Sequence, residues 1–470
     1  MIEELSQIVG ATHVLTGKDM AKYTRDWVGK YSYQPAAVVR AGNTQEVSDI
    51  VKWANRTGTV IVPVSGNTGL AGGAVAQGAV MLSLERMNAI HEVRAPARIA
   101  IVQAGAILAD VHSAAEAQDL IFPLTFGAKG SAMIGGVLST NAGGSNVLRY
   151  GNTRDLVLGI EAVLPSGEIM NIMSELHKDN SGYNLKHLLI GAEGTLGIIT
   201  AAVLKLHPKP RAYATAMVAA PGLPQALELL NQLQEVTGSC VEAFEYMPRH
   251  HIGLHKQINP NAREPFETPH EVNILVEIGV TAPRDATPGP DGQIPVTAHL
   301  ENVLAGMFEQ GAVLDAVVAQ NESQRREMWE RREAAAEIAM SRPPLLSNDI
   351  AVPLDKVSVF LEVMKTRLPQ IDPKAREVIV AHLGDGNIHY TVWPGSGDAD
   401  HIDTIMEAVE EEVRKLGGSF SAEHGIGLSK LPSMQRRKDP AALAAMQAIK
   451  TALDPNGILN PGKVLPPSAS

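Results

Sequence analysis

The sequence predicts an α+β protein of two or more domains, and three observations carry that reading. The chain has 470 residues, more than one hydrophobic core usually organises. Its first 208 residues alternate glycine-rich loops with short β-branched runs, a strand-and-loop pattern. Beyond PKPRA (208–212), the strand-like AMVAA and VNILVEIG flank an amphipathic stretch near 223–236. That combination points to an antiparallel sheet with helices against it.

Residues 36–64 read strand, helix, strand: AAVVR, QEVSDIVKWANRTG and TVIVPV. Val47, Ile50, Val51 and Ala54 recur at helical spacing, and Asn43 and Glu46 are placed as a capping box. AVMLSL, ARIAIVQAG, IEAVLPSG and TLGIITAAVLKLHP supply further strands. APRDATPGPDGQ (282–293) reads as a loop or short disordered insertion, and 298–342 as helix-rich. The tail, MQAIKTALDPNGILNPGKVLPP, reads as a helix followed by an extended, proline-punctuated end.

Composition narrows the class. With 45% hydrophobic and 19% charged residues and a net charge of −11, nothing suggests a nucleic-acid partner. The single cysteine, Cys240, excludes an intrachain disulfide or CxxC site and suits a reducing compartment. MIEELSQIVGATHVLTG lacks the basic start and apolar centre of a signal peptide, and no later run is apolar enough to span a bilayer. The expectation is a cytoplasmic protein without a transmembrane segment, at most peripheral to a membrane.

PVSGNTGLAGGAV (63–75) leaves a strand through closely spaced glycines. Such backbone can approach a phosphate and offer it successive N–H groups. The spacing G-x-x-G-x-x-G-G, with a strand rather than a helix after it, is not a Rossmann fingerprint. Alone it is equally a glycine-rich surface loop. GAKGSAMIGGVLSTNAGGSNVLRYG (127–151) and GAEGTLGIIT (191–200) repeat the pattern, and three such loops favour a large, phosphate-bearing ligand.

AHLGDGNIH (381–389) sets His382 and His389 around Gly384-Asp385-Gly386-Asn387. REVIVAH and IHYTVW flank it as strands, so Asp385-Gly386 is expected to form a two-residue primed turn. His382 then faces His389 directly, with Cβ atoms about 4.5–5.5 Å apart. Such a pair is either a structural contact or half of a metal site. SAEHGIG (421–427), after the strand-like GGSFSA, offers Glu423 and His424 as further donors.

These motifs resemble the vanillyl-alcohol oxidase/p-cresol methylhydroxylase flavoproteins. The C-terminal half is similar to the FAD-dependent D-2-hydroxyacid dehydrogenases among them: D-lactate dehydrogenases, the glycolate oxidase flavoprotein subunit and D-2-hydroxyglutarate dehydrogenases. The resemblance implies a two-subdomain FAD-binding domain at 1–208 and an α+β substrate- and metal-binding cap with an antiparallel sheet at 209–425. It returns 426–470 to the FAD domain. It implies FAD on Ser65, Gly66, Asn67, Thr68 and Gly69, with contacts from Gly130, Ser131, Gly135, Thr140, Asn141, Ala142, Gly143 and Gly144. Glu193, Gly194, Ile199 and Asn460 would complete that site. Residues 63–75 hold neither His nor Cys, so FAD is expected to be non-covalent. By the same resemblance His382, His389 and Glu423 bind a divalent metal, with zinc the family habit and manganese or iron suited to the same donors. His424 is then the base, and Asn387 either donates to a substrate oxygen or only forms the turn.

In the family a W-x-x-R-E pattern presents an arginine to the substrate carboxylate, and in REMWERREAAAEIAM (326–340), read as one helix, it falls on Arg332. Arg325, Arg326 and Arg331 read as a solvated face. D-2-hydroxyglutarate dehydrogenases carry distal-carboxylate clamps at positions that are Ala336 and Ser347 here. That departure favours a D-lactate-like substrate over D-2-hydroxyglutarate, although Arg342 and Lys356 are possible substitutes. Implied partners are a small 2-hydroxy acid and an electron acceptor such as electron-transfer flavoprotein, a cytochrome or a quinone; a homodimer is the family habit. Competing readings are an ether-lipid synthase or sugar oxidase of the same fold, and a non-redox metal-dependent hydrolase with a nucleotide-binding domain.

Overall fold

The strand, helix and strand expected at 36–64 form β2 (Ala37–Arg40), α1 (Thr44–Thr57) and β3 (Ile61–Val64) in a computed structural model that describes residues 1–467. The last three residues of the 426–470 segment lie outside the described residues. Asn43 caps α1 by accepting from the Glu46 N–H at 2.9 Å. The reciprocal half of the expected capping box differs: the Glu46 carboxylate accepts from the Gly42 N–H at 2.7 Å, one residue before the cap. Helical spacing buries Val47, Ile50, Val51 and Ala54 against Ile61, Val80 and Leu82. β1 (Val14–Leu15), β2, β4 (Val80–Ser83) and β3 form a sheet in the order β1-β2-β4-β3, with β4 parallel to both β2 and β3.

A second sheet in the same unit is antiparallel. It contains β5 (Ile90–Arg94), β6 (Ile99–Gln103), β7 (Val157–Val163), β8 (Ile169–Ile172) and β9 (Ile198–Lys205), ordered β5-β6-β9-β7-β8. A short helix, α2 (Ile134–Thr140), carries the second glycine loop. The chain divides into one unit of 1–143, 151–209 and 423 onward, and another of 144–150 and 210–422. The returning tail seats Ile458 and Leu459 in the core beneath β3. Residues 144–150, grouped with the first domain by sequence, join the second unit because Arg149 and Tyr150 reach the buried Glu242 carboxylate at 2.7 and 2.6 Å.

The second unit is a seven-stranded antiparallel sheet: β10 (Ala212–Ala220), β11 (Val241–Pro248), β12 (Val272–Val280), β13 (Asp315–Val318), β14 (Leu346–Ala351), β15 (Arg376–His382) and β16 (Asn387–Trp393). Their order is β13-β10-β12-β11-β15-β16-β14. β13 interrupts the region read as helical. A short helix at Pro283–Ala286 interrupts the one read as loop. GGSFSA makes only an isolated bridge, Ala351 to Ser419. One sheet face is apolar and packs Val276, Ile278, Ile379, Ile388 and Tyr390 against helices that supply Leu229, Leu300, Phe360 and Val409. With that face committed to the core, strand alternation sends the polar residues of the same strands to the other face.

Candidate active site

In the first unit the three glycine loops converge. A Cβ on Gly66 would sit 2.1 Å from the Ser131 carbonyl oxygen, so loops 63–75 and 127–151 touch at a distance only glycine allows. Ser65 to Gly69 leave β3, with Asn67 left-handed at φ 51°. Gly130 and Ser131 lie just ahead of α2, Gly135 lies inside it, and the Thr140 hydroxyl donates to Gly136 O at 3.0 Å. Asn141 ends the helix and accepts from the Arg154 N–H at 2.9 Å, while Ala142 O accepts from Thr153 N at 3.1 Å. Gly143 is buried; Gly144 opens the stretch assigned to the other unit.

The third loop joins through Glu193, whose N–H donates to Ser139 O at 2.8 Å, with Gly194 next to it and Ile199 buried in β9. Its carboxylate accepts from the N–H groups of Ile426 and Gly427 at 2.7 and 2.8 Å, so it holds the backbone just beyond His424. Burial pushes the Glu193 carboxyl above the usual range. Asn460 donates to Gly73 O and Glu193 O at 3.0 and 2.8 Å, yet its own Oδ1 is buried without a partner. A glycine cradle and an unanswered buried acceptor suit a large ligand with hydrogen-bond donors, as FAD is.

The polar face of the second unit differs from the sequence reading in register. His382 opposes Asn387, and Val380 opposes His389. Both primed two-residue turns need the first central residue left-handed, but here Gly386 is (φ 80°) and Asp385 is not. Gly384 instead donates to Phe244 O on β11 at 3.2 Å, and Asp385 and Gly386 both donate to His382 O. The connection therefore has four residues. A two-residue shift preserves sidedness, so both imidazoles share the face as diagonal neighbours with ring centroids 5.2 Å apart.

Two acids that the motif reading missed organise this face. Glu245, fully buried on β11 and directly opposite His382, accepts from His382 Nδ1 at 2.8 Å and Arg332 Nε at 2.6 Å. Burial opposes its ionisation, but His382 and Arg332 together hold its carboxyl below the usual range. Asp349, fully buried on β14, lies opposite His389 with Oδ1 3.8 Å from Nδ1. Asn387, read either as a donor to substrate or as a turn former only, donates to Asp349 Oδ1 and Ile350 O, both at 2.9 Å. Ala422, the last residue of this unit, donates to Asp349 O at 3.1 Å, and Glu423 and His424 follow it in sequence. The available signal for both acids was a carboxylate within a strand-forming run, VEAFEYM and SNDIAVP.

The arginine helix is α3 (Glu322–Glu333), which ends where Ala334 (ψ −6°) turns the chain into a separate helix over Ala335–Met340. Arg325, Met328, Trp329 and Arg332 fall on one side of it. Arg325 grips the buried Glu277 with two bonds of 2.6 and 2.7 Å, joined by Trp329 Nε1 at 2.8 Å, and Arg331 is buried. Neither arginine forms the solvated face expected. Ala336 and Ser347 are exposed.

His251 pins the end of α3, its Nε2 2.9 Å from Arg331 O. Burial pushes its imidazole down to about 4. Between that value and its ordinary one the unfolded chain binds a proton that the folded chain refuses. Stability is therefore full above pH ~6.5 and falls as pH drops towards ~4, by about 2–3 kcal/mol from this group. Unfolding curves at pH 7 and 4.5 should show that the loss is smaller in His251→Gln than in the wild type.

A profile for the FAD binding domain matches residues 35–173, and one for the C-terminal domain of FAD linked oxidases matches 209–464. A D-2-hydroxyglutarate dehydrogenase of Xanthomonas citri pv. viticola is 36% identical over 98% of this chain and 96% of its own. The mitochondrial D-2-hydroxyglutarate dehydrogenase of Rattus norvegicus is 34% identical over 94% of this chain and 81% of its own. Among solved structures, p-cresol methylhydroxylase with substrate bound matches with TM-score 0.74 at 16% identity, covering 98% of this chain and 96% of that one. An alkyldihydroxyacetonephosphate synthase gives 0.70 at 16% identity, covering 98% and 84%. The chain belongs to the FAD-linked oxidases. Within them it is an FAD-dependent D-2-hydroxyacid dehydrogenase, and no helix among the described residues is long and apolar enough to cross a membrane.

Proposed function

We propose that this enzyme oxidises D-2-hydroxyglutarate to its 2-oxo acid. The observation that carries the reading is the buried Arg332, gripped through Nε by Glu245 beside His382. With Nε bound there and Nη2 3.3 Å from His382 Nε2, the outer edge of the guanidinium fork would meet a planar carboxylate beside that histidine. The full-length relatives, named for D-2-hydroxyglutarate, supply the substrate. Arg332 orients the C1 carboxylate and thereby places C2. His382, His389 and Glu423 are the proposed holders of a divalent cation, with Asp349 a further donor at His389. His382 suits the role because the bond from Nδ1 to Glu245 fixes the tautomer that puts the acceptor lone pair on Nε2, which Arg332 Nη2 approaches at 3.3 Å and which a cation would take in its place. Bound there, a cation lowers the pKa of the substrate hydroxyl. His424 takes the hydroxyl proton, and Asn387 keeps Asp349 oriented. FAD, when bound on the glycine loops, supplies the acceptor for the C2 hydride. Glu193 fixes the backbone after His424 so that the base keeps its place. Reoxidation falls to an external acceptor: electron-transfer flavoprotein, a cytochrome or a quinone.

D-Lactate is the second reading, favoured by Ala336 and Ser347, which offer no strong grip on a distal carboxylate. Steady-state kcat/KM with an artificial acceptor separates the two. D-2-Hydroxyglutarate should exceed D-lactate by about tenfold or more, the worth of one charge-assisted bond. A higher value for D-lactate would establish the second reading instead.

A further inference from the structure

We propose that Glu245 is a positioning residue that fixes Arg332 and His382 as one assembly, one carboxylate oxygen to each; this rests on the roles just given to those two side chains. Glu245 lies in the middle strands of the seven-stranded sheet and is fully buried. A carboxylate there is strongly unfavourable unless its charge and lone pairs are answered. Both oxygens are committed, Oε1 to His382 Nδ1 and Oε2 to Arg332 Nε, so Glu245 acts through these residues and not on the substrate.

Each bond has a separate consequence. The bond to Nδ1 selects the His382 tautomer and orients its ring. The bond to Nε stops rotation of the guanidinium and sets Arg332 Nη2 3.3 Å from His382 Nε2. The carboxylate-binding edge and the imidazole thus keep one spacing, which is what a chelating 2-hydroxy acid requires.

Glu277 provides an internal control. It is also buried, and it clamps the same helix through Arg325 and Trp329, with Thr215 Oγ1 donating to it at 2.7 Å, but no histidine joins it. A purely structural role for Glu245 would make the two acids equivalent. The test compares E245Q, E277Q, R332K and the double variant E245Q/R332K, each purified with FAD. The readouts are KM and kcat for D-2-hydroxyglutarate and the Tm rise caused by 2-oxoglutarate, which reports binding without turnover.

E245Q should raise KM by about tenfold and shrink the ligand-induced Tm rise, as expected when one charged partner is lost. E277Q should lower Tm alone. In the R332K background E245Q should add less than about twofold to KM, because coupled residues do not act additively. If R332K leaves KM unchanged, the reading of Arg332 fails. If R332K raises KM but E245Q alters it no more than E277Q does, the inference about Glu245 is overturned. E245D, which keeps the charge but reaches only one partner, replaces E245Q should that variant not fold. Failure of both to yield FAD-loaded protein would also overturn the inference, because the carboxylate would then serve folding.

Discussion

His389→Ala is expected to abolish turnover while FAD stays bound. A cation held as proposed would stabilise developing charge by several kcal/mol, and at ~1.4 kcal/mol per decade its loss would lower kcat by about 10³-fold or more. His389 stands opposite the buried Asp349, which Asn387 orients at 2.9 Å, so the variant removes a donor without disturbing the acid beside it. The residues proposed for FAD lie elsewhere, on the loops around Gly66, Gly135 and Glu193. Chelation of the wild type should have the same outcome, and adding back zinc, manganese or iron should restore the wild type but not the variant. Activity that survived both treatments would remove the cation from the mechanism.

Arg332→Lys is expected to lower kcat/KM by about 10²-fold, mostly through KM. Lysine keeps the charge but has one compact head where arginine has a fork. It cannot hold Glu245 through one nitrogen and a substrate carboxylate through others. The ammonium would follow the buried Glu245, the stronger attraction, and leave the substrate. Arg325→Lys is the contrast: it loosens the Glu277 clamp and should cost stability, with KM close to the wild-type value. Steady-state kinetics and thermal unfolding on the two variants check both halves of the expectation.

Local signals in the sequence held where the deciding interactions are local. The Asn43 cap, the strands at 37–40 and 61–64 and the α1 stripe of Val47, Ile50 and Val51 depend on neighbours a few residues away. The shared face of His382 and His389 was legible for the same reason, because strand alternation survives an even register shift. The register itself was not. It is decided by Gly384 bonding to Phe244, on a strand far upstream.

The partners of the site residues were hidden in the same way. Glu245 and His382 are 137 residues apart in the chain. Arg325 reads as solvated until Glu277, 48 residues earlier, is folded against it. Arg332 could be singled out because a motif marks it, but the acid that holds it carries no motif. The choice between a distal carboxylate and an uncharged end turns on Ala336 and Ser347, whose small side chains say what is missing and not what replaces it.

The most direct measurement is anaerobic rapid mixing of the FAD-loaded protein with D- and L-2-hydroxyglutarate, following flavin absorbance. Bleaching by the D-acid at a rate no slower than turnover, with no comparable bleaching by the L-acid, is the result expected of a D-2-hydroxyacid dehydrogenase with this site. A flavin that stays oxidised with every D-2-hydroxy acid tried, or that is reduced faster by the L-acid, would contradict it.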